Sequence, residues 1–405
     1  MLFRCLPSCA ILVKFRIQAI ATVAAVNVLV LAVLAGAVEL ALGKWFERPV
    51  YCVDHRLHHA YCPGIVKYTL LSPEDGGARV ENVIDRSRVR VPHRSLKDGI
   101  TDVSQYDIIN IGDSFIEADE IPYDETLSAV WIRLSGKRIL QFGYGSWAPI
   151  IYYNWLLRQK LKPGVIVNLF IMENDVTPAV RTSNASYHKM AVRVKDGAFV
   201  FPGQDEHSLK NLIKQRSWFY ERVYSRRYEL NYYLSPMPQK WVEGDFSNPS
   251  SDCAKLDTLR KWLKGLSGYL TIDYLAFAFT PECWDEAQTR DVESAIEDIN
   301  RIVELVTQVD GKVNVLFVPP GWSFPGENLI SKADRAYLMK ENTVITTEPL
   351  VEYMRGKIRA RVISLEAVIK KLKAHYPGAW YFPKDGHWTP HAHRYLGVWL
   401  HENLR

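Results

Sequence analysis

Three apolar runs at regular spacing constrain this chain most. "YDIINI" (106–111), "RILQF" (138–142) and "VIVNLFI" (165–171) are short and separated by segments with helical spacing. Between the first two, "TLSAVWIRLSG" puts Leu127, Val130, Trp131 and Leu134 on one side of a helix, with Gly136 as its stop. Between the second and third, "PIIYYNWLLRQKL" reads as a helix ended by Lys162-Pro163-Gly164. "KVNVLFV" (312–318) reads as a fourth strand and "RVISL" (361–365) as a fifth, followed by the helical "EAVIKKLKAH". A run as apolar as 165–171 suits a strand buried on both faces. Strands alternating with helices build βαβ units. The predicted fold class is therefore α/β, a doubly wound (flavodoxin-like) parallel sheet of about five strands with helices on both faces.

The N-terminus lies outside this pattern. From Ala19 to Val38 no charge interrupts the chain, and Thr22 and Asn27 are its only clearly polar side chains. Some ~20 apolar residues suffice to span a bilayer as a helix. Arg4, Lys14 and Arg16 precede the segment, and the mixed charges Glu39, Lys44, Glu47 and Arg48 follow it. That bias puts the N-terminus in the cytoplasm and the rest outside. Ala35-Gly36-Ala37 resembles a signal-peptide cleavage site, but the stretch exceeds the roughly 7–15 residues of a signal core, which favours an uncleaved signal anchor. The predicted organisation is a cytoplasmic N-terminus (1–18), a transmembrane signal anchor (19–42), a lead-in or stalk segment (43–105) and a catalytic domain (106–405) with an insertion at 177–310. Within the insertion, the aromatic and basic stretch 216–234 reads as an amphipathic cap helix or as a surface contact.

Cysteine usage agrees with an exported domain. Beyond the apolar segment the cysteines form two local pairs, Cys52 with Cys62 and Cys253 with Cys283, which suggests two disulfides while leaving their connectivity open. The stretch "CVDHRLHHAYC" is rich in potential metal ligands, yet its spacing matches no zinc frame. The formal charge of +5 is small and is not gathered into basic blocks, which argues against a nucleic-acid partner.

An open α/β sheet binds its ligands at the carboxyl ends of its strands. Here those ends read Gly112-Asp113-Ser114, Phe142-Gly143-Tyr144-Gly145 and Met172-Glu173-Asn174-Asp175. The C-terminal region adds "DGHW", with Asp385 two positions before His387. A serine hydroxyl needs an adjacent base to attack an ester. His387 is suited to take and return the proton, and Asp385 to hold the imidazole tautomer. The N–H groups of Ser114 and Gly143 and the side-chain amide of Asn174 are the candidate oxyanion donors. The chemistry needs no cofactor and no metal. Thr389-Pro390 reads as an N-cap and first helical residue, so His391 and His393 fall on different helix faces and do not converge on an ion. His393 reads as a structural residue of that helix.

These blocks resemble the SGNH (GDSL-type) hydrolase superfamily, whose motifs contribute Ser, Gly, Asn and His. The matching segments are "GDSF" (112–115), "QFGYG" (141–145), "MEND" (172–175) and "DGHW" (385–388), and the resemblance covers about 105–176 and 312–405, under half of the chain. There are departures. Gln141 stands where the family more often has Asn, Gly386 alone separates Asp385 from His387, and Ala118 and Glu120 stand where relatives tend to have glycine. The Asp-x-His-Trp form is similar to a branch that includes polysaccharide O-acetyltransferases and membrane-anchored proteins of exopolysaccharide systems. The resemblance implies an extracytoplasmic serine esterase or deacetylase acting on O-acylated carbohydrate or a small ester. An O-acetyltransferase using the same residues, or a non-catalytic glycan-binding or assembly protein, stays open. It also implies polysaccharide-assembly proteins as partners. Glu117, Asp119 and Glu120 put negative charge beside the serine, which is expected to disfavour anionic substrates.

Overall fold

The computed structural model describes residues 22–34, 36–37, 50–176, 183–204, 245–246, 248–263, 275–324, 327 and 344–404. Val50–His207 and Ser235–Arg405 form one compact unit, and Met1–Pro49 with Ser208–Leu234 form another. In the second of these, residues 22–34 and 36–37 are helical, and valine and leucine side chains such as Val28, Leu29 and Leu31 are exposed. The rest of the expected anchor 19–42, like the stretch 216–234, lies outside the described residues. Among the described residues no helix is long and apolar enough to cross a membrane.

The large unit is built on a five-stranded sheet whose strands all run parallel: β1 (Ile108–Gly112), β2 (Ile139–Gly143), β3 (Ile166–Met172), β4 (Lys312–Val318) and β5 (Arg361–Ser364). Their spatial order is 2-1-3-4-5. Each predicted strand is found within a residue or two of its expected limits. The short turn α1 (Ser114–Glu117) follows β1, α2 (Leu127–Ser135) leads to β2, and α3 (Pro149–Leu157) lies between β2 and β3. The long helix α4 (Glu286–Thr307) precedes β4, and α5 (Glu348–Arg355) precedes β5. After β5 come α6 (Leu365–His375) and α7 (Pro390–Asn403).

Alternation along the strands separates two cores. Ile109, Ile111, Val167, Leu169 and Val315 pack with α3, α4 and α5, through residues such as Trp155, Ile299 and Leu350. Ile108, Ile139, Phe170 and Leu316 pack on the other face with α2, α6 and α7, through Trp131, Ile369 and Leu396. Helices thus cover both faces. Gly136 ends α2 in the left-handed region as expected, but Leu134 at its last turn is exposed. The second face also carries a buried polar row. Asn168 Nδ2 donates to Asn110 Oδ1 at 2.8 Å, Asn314 Nδ2 to Asn168 Oδ1 at 2.9 Å, and Asn110 Nδ2 to Ser128 Oγ at 2.9 Å. These asparagines are in register across β1, β3 and β4, so each amide meets the next. A one-residue slip would break all of these bonds and turn the row to the opposite face.

Two expectations about the flanking segments change. The interval 177–310 is not wholly an insertion, because it ends in α4, the crossover helix that packs Val292, Ile299 and Ile302 on the sheet. The lead-in is not a stalk from Val50 onward. A hairpin of Tyr51–Asp54 with His58–Tyr61, and a three-stranded antiparallel sheet of Ile65–Leu70, Arg79–Ile84 and Arg90–Val91, belong to the same compact unit as the main sheet. Disulfides join Cys52 to Cys62 across the hairpin and Cys253 to Cys283 ahead of α4.

Candidate active site

The site forms where the sheet order reverses, between the carboxyl ends of β1 and β3, as the fold class favours. Asp113 is fully buried, caps α1 and accepts the Phe115 N–H at 3.0 Å. Ser114 follows as the first residue of α1 and is partly exposed. The turn closes on Ala118 at φ 49°, a left-handed position that suits glycine better and that stores strain in a site loop. Gly143 backs this turn. A Cβ there would lie 2.3 Å from Glu117 N and 2.6 Å from Ile116 C, so only glycine lets β2 approach.

His387 is held by its own loop. Gly386, at φ 83°, donates its N–H to Phe382 O, and Phe382 N–H donates to His387 O, both at 2.8 Å. Trp388 is buried against Phe115, and the Phe115 ring also meets the His387 imidazole edge-on, with centroids 4.9 Å apart in each case. Thr389 caps α7 and Pro390 opens it, as read from the sequence. His393 is buried and accepts the Leu127 N–H at 3.2 Å; burial pushes its pKa down to about 3 and keeps it neutral. It is a structural residue.

Ser114 Oγ lies 2.7 Å from His387 Nε2. His387 Nδ1 meets the Asp385 carboxylate, and Asp385 Oδ1 also accepts the His387 backbone N–H at 3.3 Å. The three expected side chains therefore converge into a hydroxyl–imidazole–carboxylate relay. Such a relay can draw the proton from the hydroxyl as it attacks, and can return it to a leaving group. Burial alone would lower the imidazole pKa, but the Glu120 and Asp385 carboxylates outweigh it and hold His387 well above its ordinary value.

The expected oxyanion donors are arranged differently. Asn174, at the end of β3, points its Nδ2 at Asp113 Oδ2, 3.2 Å away. Tyr144 N–H donates to Gly112 O, so the alternation of the strand turns the Gly143 N–H away from β1. Gly145, not Gly143, borders the serine: a Cβ on it would lie 3.8 Å from Ser114 Cβ. Its N–H donates to Glu117 Oε2 at 2.6 Å.

The acidic run after the serine is absorbed into this structure. Glu117 is buried, accepts the Tyr61 hydroxyl and lies 3.7 Å from Lys67 Nζ. Burial, then the Asp119 charge, push its carboxyl up to about 7. Asp119 pairs with Lys67, whose ammonium also sits over the Tyr51 and Tyr61 rings. Glu120 lies against His387. The run thus meets the chain's own cations and donors rather than presenting bare charge to a ligand. Sequence reasoning named Glu120 and Gly145 but not their contacts with His387 and Ser114, and it missed Lys67 and Arg90, whose guanidinium binds the Glu117 and Ala118 carbonyls. The one available signal was three carboxylates in four residues beside a buried strand end, which must find partners.

The histidines of "CVDHRLHHAYC" do not form a metal cluster among the described residues. His59 Nε2 contacts Gly145 O at 3.2 Å, His58 and His59 meet through their Nδ1 atoms at 2.7 Å, and Asp54 caps its turn by accepting the Arg56 and Leu57 N–H groups. Glu120, Asp385 and His387 do bring three possible ligand atoms within 4.8 Å, but they already satisfy one another around the His387 ring.

Fold and site together define an open α/β protein with a serine, a histidine and carboxylates at its topological switch point. No family model matches this chain, and no curated protein matches it.

Proposed function

We propose that this chain is a serine esterase of the SGNH type acting through an acyl-Ser114 intermediate. The observation that carries this reading is the 2.7 Å contact of Ser114 Oγ with His387 Nε2, together with Asp385 on the other ring nitrogen. Ser114 Oγ bonds to the acyl carbon while His387 takes its proton. Collapse of the tetrahedral intermediate breaks the ester bond, and His387 returns the proton to the departing alcohol. Water then repeats the sequence and releases the acid. The Ser114 N–H and the Asn174 amide, which rests on Asp113 Oδ2, are the donors offered to the developing oxyanion.

The substrate class is an O-acylated surface or exported carbohydrate, a choice that rests on the family resemblance. The membrane-anchored, extracytoplasmic placement is supported by Arg4, Lys14 and Arg16 ahead of the apolar segment and by two disulfides in the large unit. A sugar hydroxyl in place of water would make the same acyl-enzyme a transferase.

The test treats the detergent-solubilised protein with a fluorophosphonate probe and with p-nitrophenyl acetate, alongside Ser114→Ala and His387→Ala. Labelling and hydrolysis by the native protein alone support the reading. A native protein that neither labels nor hydrolyses sinks it, and the transferase arm adds oligosaccharide acceptors.

A further inference from the structure

Glu120 is buried, and its Oε1 lies 3.0 Å from His387 Nδ1, the same nitrogen that Asp385 contacts. We propose that Glu120 is a second positioning carboxylate for His387, sharing the Nδ1 proton with Asp385. The proposal rests on the reading of Ser114 and His387 as nucleophile and base.

The two carboxylates do different mechanical work. Asp385 sits two residues before His387 in one tight loop, and its Oδ1 divides itself between the His387 backbone N–H and the ring. It orients the imidazole relative to its own loop. Glu120 comes from the segment that carries Ser114, six residues further on. It therefore fixes the ring relative to the nucleophile, across a sequence separation of more than 260 residues. That segment is clamped by the lead-in. The Arg90 guanidinium donates to Ala118 O at 2.6 Å and Glu117 O at 3.1 Å, and Asn82 Nδ2 donates to Asp119 O at 2.9 Å. Lys67 holds the Asp119 carboxylate. Three side chains from the lead-in are thus spent on fixing the loop that delivers Glu120.

The charged surroundings of His387 set the pH consequence. Asp385 and Glu120 touch it, Asp119 and Asp113 lie further out on the nucleophile segment, and neutral His393 faces it from α7. The Arg90 guanidinium sits on the same segment, at the Glu117 and Ala118 carbonyls. Negative charge predominates, so the imidazolium is favoured, and only the neutral ring can act as base. Removing the Glu120 charge lowers the His387 pKa and moves the acid limb of the pH–rate profile to lower pH.

The experiment compares the full-length native protein with Glu120→Gln, Asp385→Asn, the double variant and Ser114→Ala. The rate of fluorophosphonate labelling is followed against pH, and His387 is titrated by NMR with 15N-histidine. Glu120→Gln is expected to move the acid limb down by about one pH unit, the low end for an opposite charge at this distance. Asp385→Asn is expected to label clearly above the Ser114→Ala background, and the double variant to fall to it. An unmoved limb with Asp385→Asn no faster than the double variant overturns the proposal. If the native protein does not label at all, the function reading fails, and the titration still decides: a His387 pKa unchanged by Glu120→Gln overturns the role of Glu120.

Discussion

Gly143→Ala tests whether the nucleophile turn depends on the close approach of β2. Gly143 has an ordinary backbone conformation, so alanine brings no torsional penalty and keeps the N–H. Its Cβ, however, would lie 2.3 Å from Glu117 N, 2.6 Å from Ile116 C and 2.8 Å from Asp113 O. All three are backbone atoms of the turn that presents Ser114, so none can rotate aside. Relief requires the turn to move by about 1 Å, at a cost of about 1–3 kcal/mol for overpacking. At roughly 2–4 °C per kcal/mol for a domain of moderate size, the expected loss in Tm is roughly 2–12 °C. A 1 Å misplacement of a reacting group costs about 10²-fold in rate. Gly145→Ala is the comparison, because its Cβ would meet no backbone atom, only the side-chain atoms Glu117 Oε2 at 3.1 Å and Ser114 Cβ at 3.8 Å. Thermal unfolding and the labelling rate of Ser114 are measured on both. Native Tm and labelling in Gly143→Ala would refute the reasoning, whatever Gly145→Ala does.

Other consequences follow from the same geometry. Glu117, raised by burial from 4.5 to about 7, binds its proton more tightly folded than unfolded, so its contribution to stability is lost as pH rises through that window. Glu117→Gln is expected to remove up to about 3 kcal/mol of the stability change across that whole window, read from urea midpoints at several pH values; an unchanged pH dependence counts against it. Asn168→Ala leaves the Asn110 carbonyl and the Asn314 amide without their partner in the polar row, at a cost of about 2–4 kcal/mol in denaturant unfolding, and a loss below about 1 kcal/mol contradicts the row's importance. Cys62→Ser opens the Cys52–Cys62 loop, expected to cost about 2–3 kcal/mol and to loosen the hairpin that brings Tyr61 to Glu117. A native protein whose melting is insensitive to reductant would argue against that disulfide's contribution.

Much of the scaffold was legible from local pattern. The apolar runs at 106–111, 138–142, 165–171 and 312–318 announce buried strands because a parallel sheet covered on both faces has no polar side to show. Gly136, Thr389 and Pro390 mark helix ends through chemistry that acts within one turn. Ser114 at a strand end and the Asp385–His387 pair were readable for the same reason, since strand ends and short spacings are sequence properties.

Contacts between distant segments were not legible. The residues 117–120 read as acidic, but their partners Tyr61, Lys67, Arg90 and His387 lie from 27 to 267 residues away. The choice between Gly143 and Gly145 turned on strand alternation and on which backbone lay behind each α-carbon. The crossover role of α4 emerged only when its apolar face met the sheet. By itself the sequence determined the layers of this fold and the residue types at its sheet edge, because periodicity and turn chemistry are local. The tertiary structure alone decided which carboxylate faces which proton, because charge partners are chosen by proximity in space and burial makes that choice costly to change.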